Sequence, residues 1–177
     1  MALELRRAGR RATCTLVAVA CLLAAAPPAA AQKLVYVVRH AERADAGAAG
    51  GEMTAQTDPP LSAAGEARAA RLATMLADAG VTAVFATEYR RTQETGKPLA
   101  SKLGLAVEAT PSRDVPALIS RLKATHADDI VLIVGHSNTV PAIIKAFGGP
   151  DVTIGENEYD NLFVIVPKTG VTSRIRY

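Results

Sequence analysis

Cysteine is nearly absent: the chain has two, Cys14 and Cys21, and none follows. A body without cysteine holds no disulfide, no thiol nucleophile and no cysteine metal site. An excess of one charge is missing as well, once the N-terminus is set aside. The formal charge of +3 arises there, because four of the 20 Lys and Arg but only one of the 17 Asp and Glu fall in the first 31 residues, leaving 16 of each sign. With no basic tract left, neither nucleic acid nor an anionic membrane surface is indicated as a partner. Internal repeats and long linkers are lacking too. The apolar run from Thr15 to Ala26 is short for a bilayer span and is broken by Pro27-Pro28.

What is present at the N-terminus reads as a secretory signal. Arg6, Arg7, Arg10 and Arg11 precede the apolar run, and Ala29-Ala30-Ala31 offers a small-residue cleavage site before Gln32. The expectation is a signal peptide over 1–31 and one domain over 32–177, periplasmic or secreted, with no membrane span in the mature chain. Lipid attachment at Cys21 fits less well, because Ala18-Val19-Ala20 lacks the larger aliphatic residue such signals carry.

Along the rest of the chain, Lys33 to Val38 is a nearly continuous apolar run that fits a strand buried on both faces. Ala44 to Pro60 is rich in Gly, Ala, Asp and Pro without a period and reads as a loop. Ser62 is placed to cap a helix over Ala63 to Asp78 that Gly80 stops. Val81 to Ala86 reads as a second strand, and Thr87 as the cap of a second helix carrying Arg90, Arg91 and Thr95 and ending before Gly104. A short strand over Leu105 to Glu108, a helix over Val115 to Thr125 and a buried strand over Asp129 to Gly135 follow. Asn138 to Phe147 forms a last helix before Gly148-Gly149, and Leu162 to Val166 with Val171 to Arg176 forms a β-hairpin. Alternating strands and helices predict an α/β fold, a three-layer α/β/α sandwich whose mostly parallel sheet has an antiparallel edge.

In such sheets ligands bind beyond the carboxyl ends of the strands, and His40 and His136 each follow a strand directly. A lone histidine there is ordinary; two accompanied by Arg39 and Arg91 are not, since two planar cation forks facing imidazole suit a phosphoryl dianion.

Three segments carry a resemblance. Val38-Arg39-His40-Ala41-Glu42, Thr87-Glu-Tyr-Arg-Arg91-Thr-Gln-Glu-Thr95 and Val134-Gly-His136-Ser look like the motifs of the histidine phosphatase superfamily, which includes the phosphoglycerate mutases. Asp58-Pro-Pro-Leu-Ser-Ala-Ala-Gly65 resembles the segment that opens the family's first long helix, and the order holds from about Lys33 to the C-terminus. The resemblance implies a phosphoglycerate mutase-like fold and a phosphatase that needs no cofactor or metal. His40 would be the nucleophile, a protonated His136 its partner, Arg39 and Arg91 the phosphate clamps, and Asn138 a further phosphate donor or the cap of the last helix. Adjacent helical side chains diverge by about a hundred degrees, so only one of Arg90 and Arg91 can face inward, and the motif selects Arg91. Thr95, one turn on, has either a packing role or one in the site.

Departures from the family pattern narrow the reading. Ala41 stands where glycine is usual and must avoid a positive φ. Ala46 replaces the mutases' asparagine, which argues against mutase activity. No carboxylate matches the family's acid motif: Asp114, Glu42 and Asp58 are candidate proton donors, each with a plain reading as a cap or loop charge, and Glu156, Glu158 and Asp160 are next in line. His126 reads as a surface residue, and Tyr159, Asp160 and Asn161 as a turn that could border the pocket. The expected substrate is a small phosphomonoester, or a phosphoramidate such as one on a phosphoprotein. The rival readings are a phosphoryl-binding module without turnover and a metal site built from His40, Glu42 and His136.

Overall fold

The computed structural model describes residues 33–45 and 58–177. The expected signal segment with Cys21, and residues 46–57 of the expected loop, lie outside the described residues. The elements are β1 (Leu34–Arg39), α1 (Ala63–Met75), β2 (Ala83–Thr87), α2 (Arg90–Leu103), β3 (Val107–Thr110), α3 (Val115–Thr125), β4 (Ile130–Gly135), α4 (Thr139–Ala146), β5 (Asn161–Val166) and β6 (Val171–Arg176).

The six strands form one sheet in the order β3-β2-β4-β1-β5-β6. The first four strands of the chain pair in parallel, and β5 and β6 add an antiparallel edge. Each face is covered by two helices. Val35, Val37, Phe85, Val131 and Ile133 pack on α3 and α4. Val38, Val84, Leu132 and Val134 pack on α1 and α2. Because β1, β2 and β4 are covered on both sides, their sequences are apolar throughout rather than alternating. Among the described residues no helix is long and apolar enough to cross a membrane.

Local chemistry explains the boundaries. The Ser62 hydroxyl accepts the Gly65 N–H at 3.2 Å and starts α1 as expected. The helix stops at Met75 rather than Asp78, with Gly80 turning the chain at φ 72°. β3 lies at 107–110, later than the expected 105–108, because Gly104 closes α2 in the left-handed conformation and Leu105-Ala106 are spent leaving it. Thr87 does not cap α2. It is the last residue of β2, and the start of α2 is served by the Asp58 carboxylate, which accepts the Arg90 N–H at 2.7 Å.

Register sets the site. Val38 and Ala86 both stand opposite Val134, so the ends of three adjacent strands share one edge of the sheet. Beyond that edge emerge Arg39-His40, Thr87 and Gly135-His136. Gly135 is required there, since a Cβ on it would lie 2.7 Å from the Thr139 hydroxyl where β4 turns into α4.

Candidate active site

His40 is 5% exposed, and its Nδ1 donates to the Ala41 carbonyl at 2.8 Å. A carbonyl can only accept, so Nδ1 carries the ring proton and Nε2 is left bare. Among the described residues Nε2 has no hydrogen-bond partner, and the ring lines the cleft. Ala41 is itself held, because its N–H donates to the buried Thr95 hydroxyl at 3.0 Å while that hydroxyl donates to the Arg91 carbonyl at 2.7 Å. Thr95 thus ties the nucleophile's support to the helix of the second arginine. Ala41 has no positive φ and substitutes for glycine without strain.

His136 stands with its ring centroid 5.3 Å from that of His40, edge to face. Its Nε2 is hydrogen-bonded to the Thr87 hydroxyl at 2.8 Å, and the Thr87 hydroxyl to that of Thr92 at 2.8 Å. Burial holds the His40 imidazole down at about 3, helped by His136, Arg91 and Arg39 nearby and only partly offset by the Ala41 carbonyl. Burial, followed by the charge of Arg91, holds His136 at about 4. Both rings are therefore neutral near pH 7 in the free protein.

The arginines flank this pair. Arg39 is 8% exposed; its Nη1 donates to the carbonyls of Gly155 at 2.8 Å and Glu156 at 2.7 Å, and its guanidinium stacks 4.2 Å from the Tyr159 ring. Arg91 stacks 4.3 Å from the Tyr89 ring and approaches Asp58 at 3.4 Å. Arg90 points away, with its side chain 60% exposed and paired with Glu94 one turn on, so the choice of Arg91 holds. The Nε atoms of both Arg39 and Arg91 are buried without a partner. A buried cationic donor without a partner is costly, and an arrangement of two such guanidinium groups around two imidazoles suits an anion.

Comparison with known proteins agrees with this geometry. Residues 35–112 match the family model of the histidine phosphatase superfamily (branch 1). That segment carries Arg39, His40 and Arg91 but ends before His136. An uncharacterised protein of Mycobacterium tuberculosis is 49% identical over 51 residues, which are 29% of this chain and 25% of that protein. "Probable phosphoglycerate mutase GpmB" of Yersinia enterocolitica is 35% identical over 77 residues, 44% of this chain and 35% of that protein. The matches thus span a quarter to about a third of these relatives' length. The structure of the protein histidine phosphatase SixA complexed with tungstate shares the fold at TM-score 0.60 and 19% identity, over 80% of this chain and 94% of that one.

The site is an open cleft of about 970 Å³ whose lining includes Arg39, His40, Arg91, His136 and Asn138. Asn138 begins α4 without any side-chain capping bond, so its amide is available to a ligand. Three residue sets that the sequence did not single out for the site complete it. Thr87 with Thr92 holds His136, Tyr89 and Tyr159 stack on the arginines, and the 155–158 turn supplies the carbonyls for Arg39. Only Tyr159 was legible beforehand, as a possible border of the pocket.

The expected proton donors are not brought to the histidines. Asp114 caps α3, accepting the Ala117 N–H at 2.9 Å, and does not line the cleft. Glu42 is gripped by Arg68 at 2.7 to 3.0 Å, and although burial pushes its carboxyl up, the Arg68 bonds, a backbone hydrogen bond and the charges of Arg68 and Arg71 together hold it below its ordinary value. Asp58 caps α2 beside Arg91. Of the next candidates, Glu158 and Asp160 are bound by Arg176, and Glu158 also by Arg174. Glu156 lines the cleft from the exposed 155–158 turn. With Glu42 committed to Arg68, the suggested His40, Glu42 and His136 ligand set does not converge, and among the described residues no cluster of three metal-ligating side chains occurs. His126 is not a plain surface residue: it is half-buried, bonded to Asp129 at 2.8 Å and edge-on to Phe85.

Proposed function

We propose that the chain is a phosphatase that moves a phosphoryl group first to His40 Nε2 and then to water. The observation that carries this is the bare Nε2 of cleft-lining His40, flanked by buried Arg39 and partly buried Arg91, whose Nε donors have no hydrogen-bond partner. A nucleophile whose other nitrogen is fixed by a carbonyl is aligned for in-line attack at phosphorus. Arg39, Arg91 and the Asn138 amide are in place before charge spreads over the equatorial oxygens, so no reorganisation is needed during the step. Water then breaks the P–N bond and returns His40.

The substrate class follows from the carboxylates. None of the carboxylates that the sequence offered as first-choice acid reaches the cleft wall, so the leaving group either takes its proton from another source or needs none, as with an already protonated phosphoramidate nitrogen or an aryl oxygen. The open cleft admits a phosphoryl group on a protruding side chain as well as a small metabolite. The basic and apolar N-terminus supports action in the periplasm or outside the cell, on protein cleaved after Ala31.

The test is brief reaction with a labelled phosphoryl donor followed by peptide mapping. Acid-labile, alkali-stable label on His40, absent from His40→Ala, is the expected result; normal turnover by His40→Ala would sink the reading.

A further inference from the structure

The hydroxyl pair beside His136 fixes more than its orientation. Thr92 Oγ1 lies 2.6 Å from the Tyr89 carbonyl, 3.0 Å from the Thr87 carbonyl and 2.8 Å from the Thr87 hydroxyl. Two oxygens at 2.6 Å need a proton between them, so the single Thr92 proton is given to the Tyr89 carbonyl. Thr92 can then only accept from Thr87. Thr87, its one proton spent, can only accept from His136 Nε2. His136 therefore carries its proton on Nε2 and has a bare Nδ1, which has no hydrogen-bond partner among the described residues, and the ring lines the cleft.

The two histidines thus hold opposite tautomers: His40 is protonated on Nδ1 and bare on Nε2, His136 protonated on Nε2 and bare on Nδ1. Both bare nitrogens serve one cleft that is otherwise cationic. The charged and titratable groups around His136 are Arg39 and His40 from the end of β1, Glu88 and Tyr89 from the β2–α2 turn, Arg91 from α2, and Asp58 from the segment before α1. Glu88 is occupied with the Ser112 N–H and hydroxyl, at 2.6 and 2.9 Å.

We infer that the substrate itself brings the proton the reaction needs: Thr92 and Thr87 present His136 Nδ1 as a base, and the phosphoryl group enters as its protonated monoanion. This rests on the phosphatase reading above. The balance is as follows. On binding, the P–OH proton passes to His136 Nδ1. His40 Nε2 then bonds to phosphorus, the bond to the leaving group breaks with its electron pair, and that oxygen or nitrogen takes the proton from His136. In the second half, water bonds to phosphorus and gives a proton to His136 Nδ1, and the P–N pair returns to His40. Phosphate leaves as the monoanion, and both rings regain their starting tautomers. His136 is the catalytic base and acid; Thr87 and Thr92 are positioning residues.

The inference is testable without turnover. Nitrogen-15 spectra of the free protein near pH 7 should show neutral His136 with the proton on Nε2. Thr92→Val, which frees the Thr87 proton to point at His136, should move the population to the Nδ1 tautomer, and Thr92→Ser should restore it. Calorimetry with inorganic phosphate, repeated in buffers of different ionisation enthalpy above its second pKa, should show uptake approaching one proton per phosphate bound. Wild-type His136 protonated on Nδ1, or phosphate bound without proton uptake, would overturn the inference. In turnover, kcat/KM on an alkyl phosphate should fall about tenfold per pH unit above the substrate's own second ionisation. A fall set by a fixed enzyme group and abolished by Glu156→Gln would assign the proton to Glu156 instead. A protein that passes the tautomer and proton-uptake tests but shows no turnover would fail the phosphatase reading alone.

Discussion

The Thr95 hydroxyl accepts the Ala41 N–H at 3.0 Å, and the Ala41 carbonyl accepts His40 Nδ1 at 2.8 Å, so the single residue Ala41 connects helix α2 to His40. Thr95→Val leaves the Ala41 N–H buried without a partner, for a loss of about 1–3 kcal/mol in denaturant unfolding. It also loosens His40, and kcat should fall by about tenfold or more while KM changes less. Thr95→Ser should recover both. Equal kcat for the valine and serine variants would show that Thr95 only packs.

Arg91→Ala and Arg90→Ala should differ sharply. Removing a preorganised cation from the transition state lowers the rate on the order of a hundredfold. Arg90 contributes an exposed pair with Glu94, worth about 0.3–0.5 kcal/mol, and its loss should leave kcat/KM nearly unchanged. Steady-state kinetics on an aryl phosphate decides it, and the reverse order would contradict the orientation of α2.

Acid should destabilise the fold through its two catalytic rings. His40 is held at about 3 and His136 at about 4, both below the ordinary value of 6.5. An unfolded chain takes up protons on these rings from about 6.5 downward while the folded one does not. Stability is thus full above 6.5 and is lost as pH falls through the folded values, at a rate on the order of 1 kcal/mol per pH unit for each ring. His136→Gln should flatten this slope between pH 6 and 4 in denaturant melts. An unchanged slope would place the sensitivity elsewhere.

The carboxylates that failed to reach the cleft should be dispensable for chemistry. Asp114→Asn keeps a good helix cap and should alter neither stability nor kcat appreciably. Glu42→Gln weakens the grip of Arg68 and should lower stability without a selective effect on alkyl esters. Comparing kcat/KM on an alkyl phosphate, an aryl phosphate and a phosphoramidate checks this. A loss confined to the alkyl ester in either variant would reinstate that residue as the acid.

Much of the architecture could be read from the sequence because its strongest signals are local. Continuous apolar runs marked β1 and β4, alternation of element types marked the layers, and histidines directly after strands marked the edge where the site lies. Helix geometry allowed only one of Arg90 and Arg91 to face the cleft, and the motif resemblance selected Arg91. What could not be read depends on partners distant in sequence. Thr87 looks like a helix cap because threonine before a helical stretch usually is one; here its hydroxyl is claimed by His136, 49 residues away, and Asp58 takes over the capping. The 155–158 turn has no motif, and its part in holding Arg39 comes from backbone carbonyls, which any sequence would supply. Asp114 takes the helix cap that its plain reading gave it, whereas Glu42 is neither a cap nor a solvated loop charge, because Arg68, 26 residues away, pairs with it.

The position of β4 between β1 and β2 has a consequence for how the protein comes into being. Arg39, His40 and Arg91 are all made before β4, yet β1 and β2 touch only through it. A ribosome that has released the chain through α3 has delivered the nucleophile and both arginines but no continuous sheet to seat them. Assembly waits for residues 130–135 to insert as the central strand and for β5 to close beside β1, so the catalytic groups remain strangers until nearly the whole chain is free.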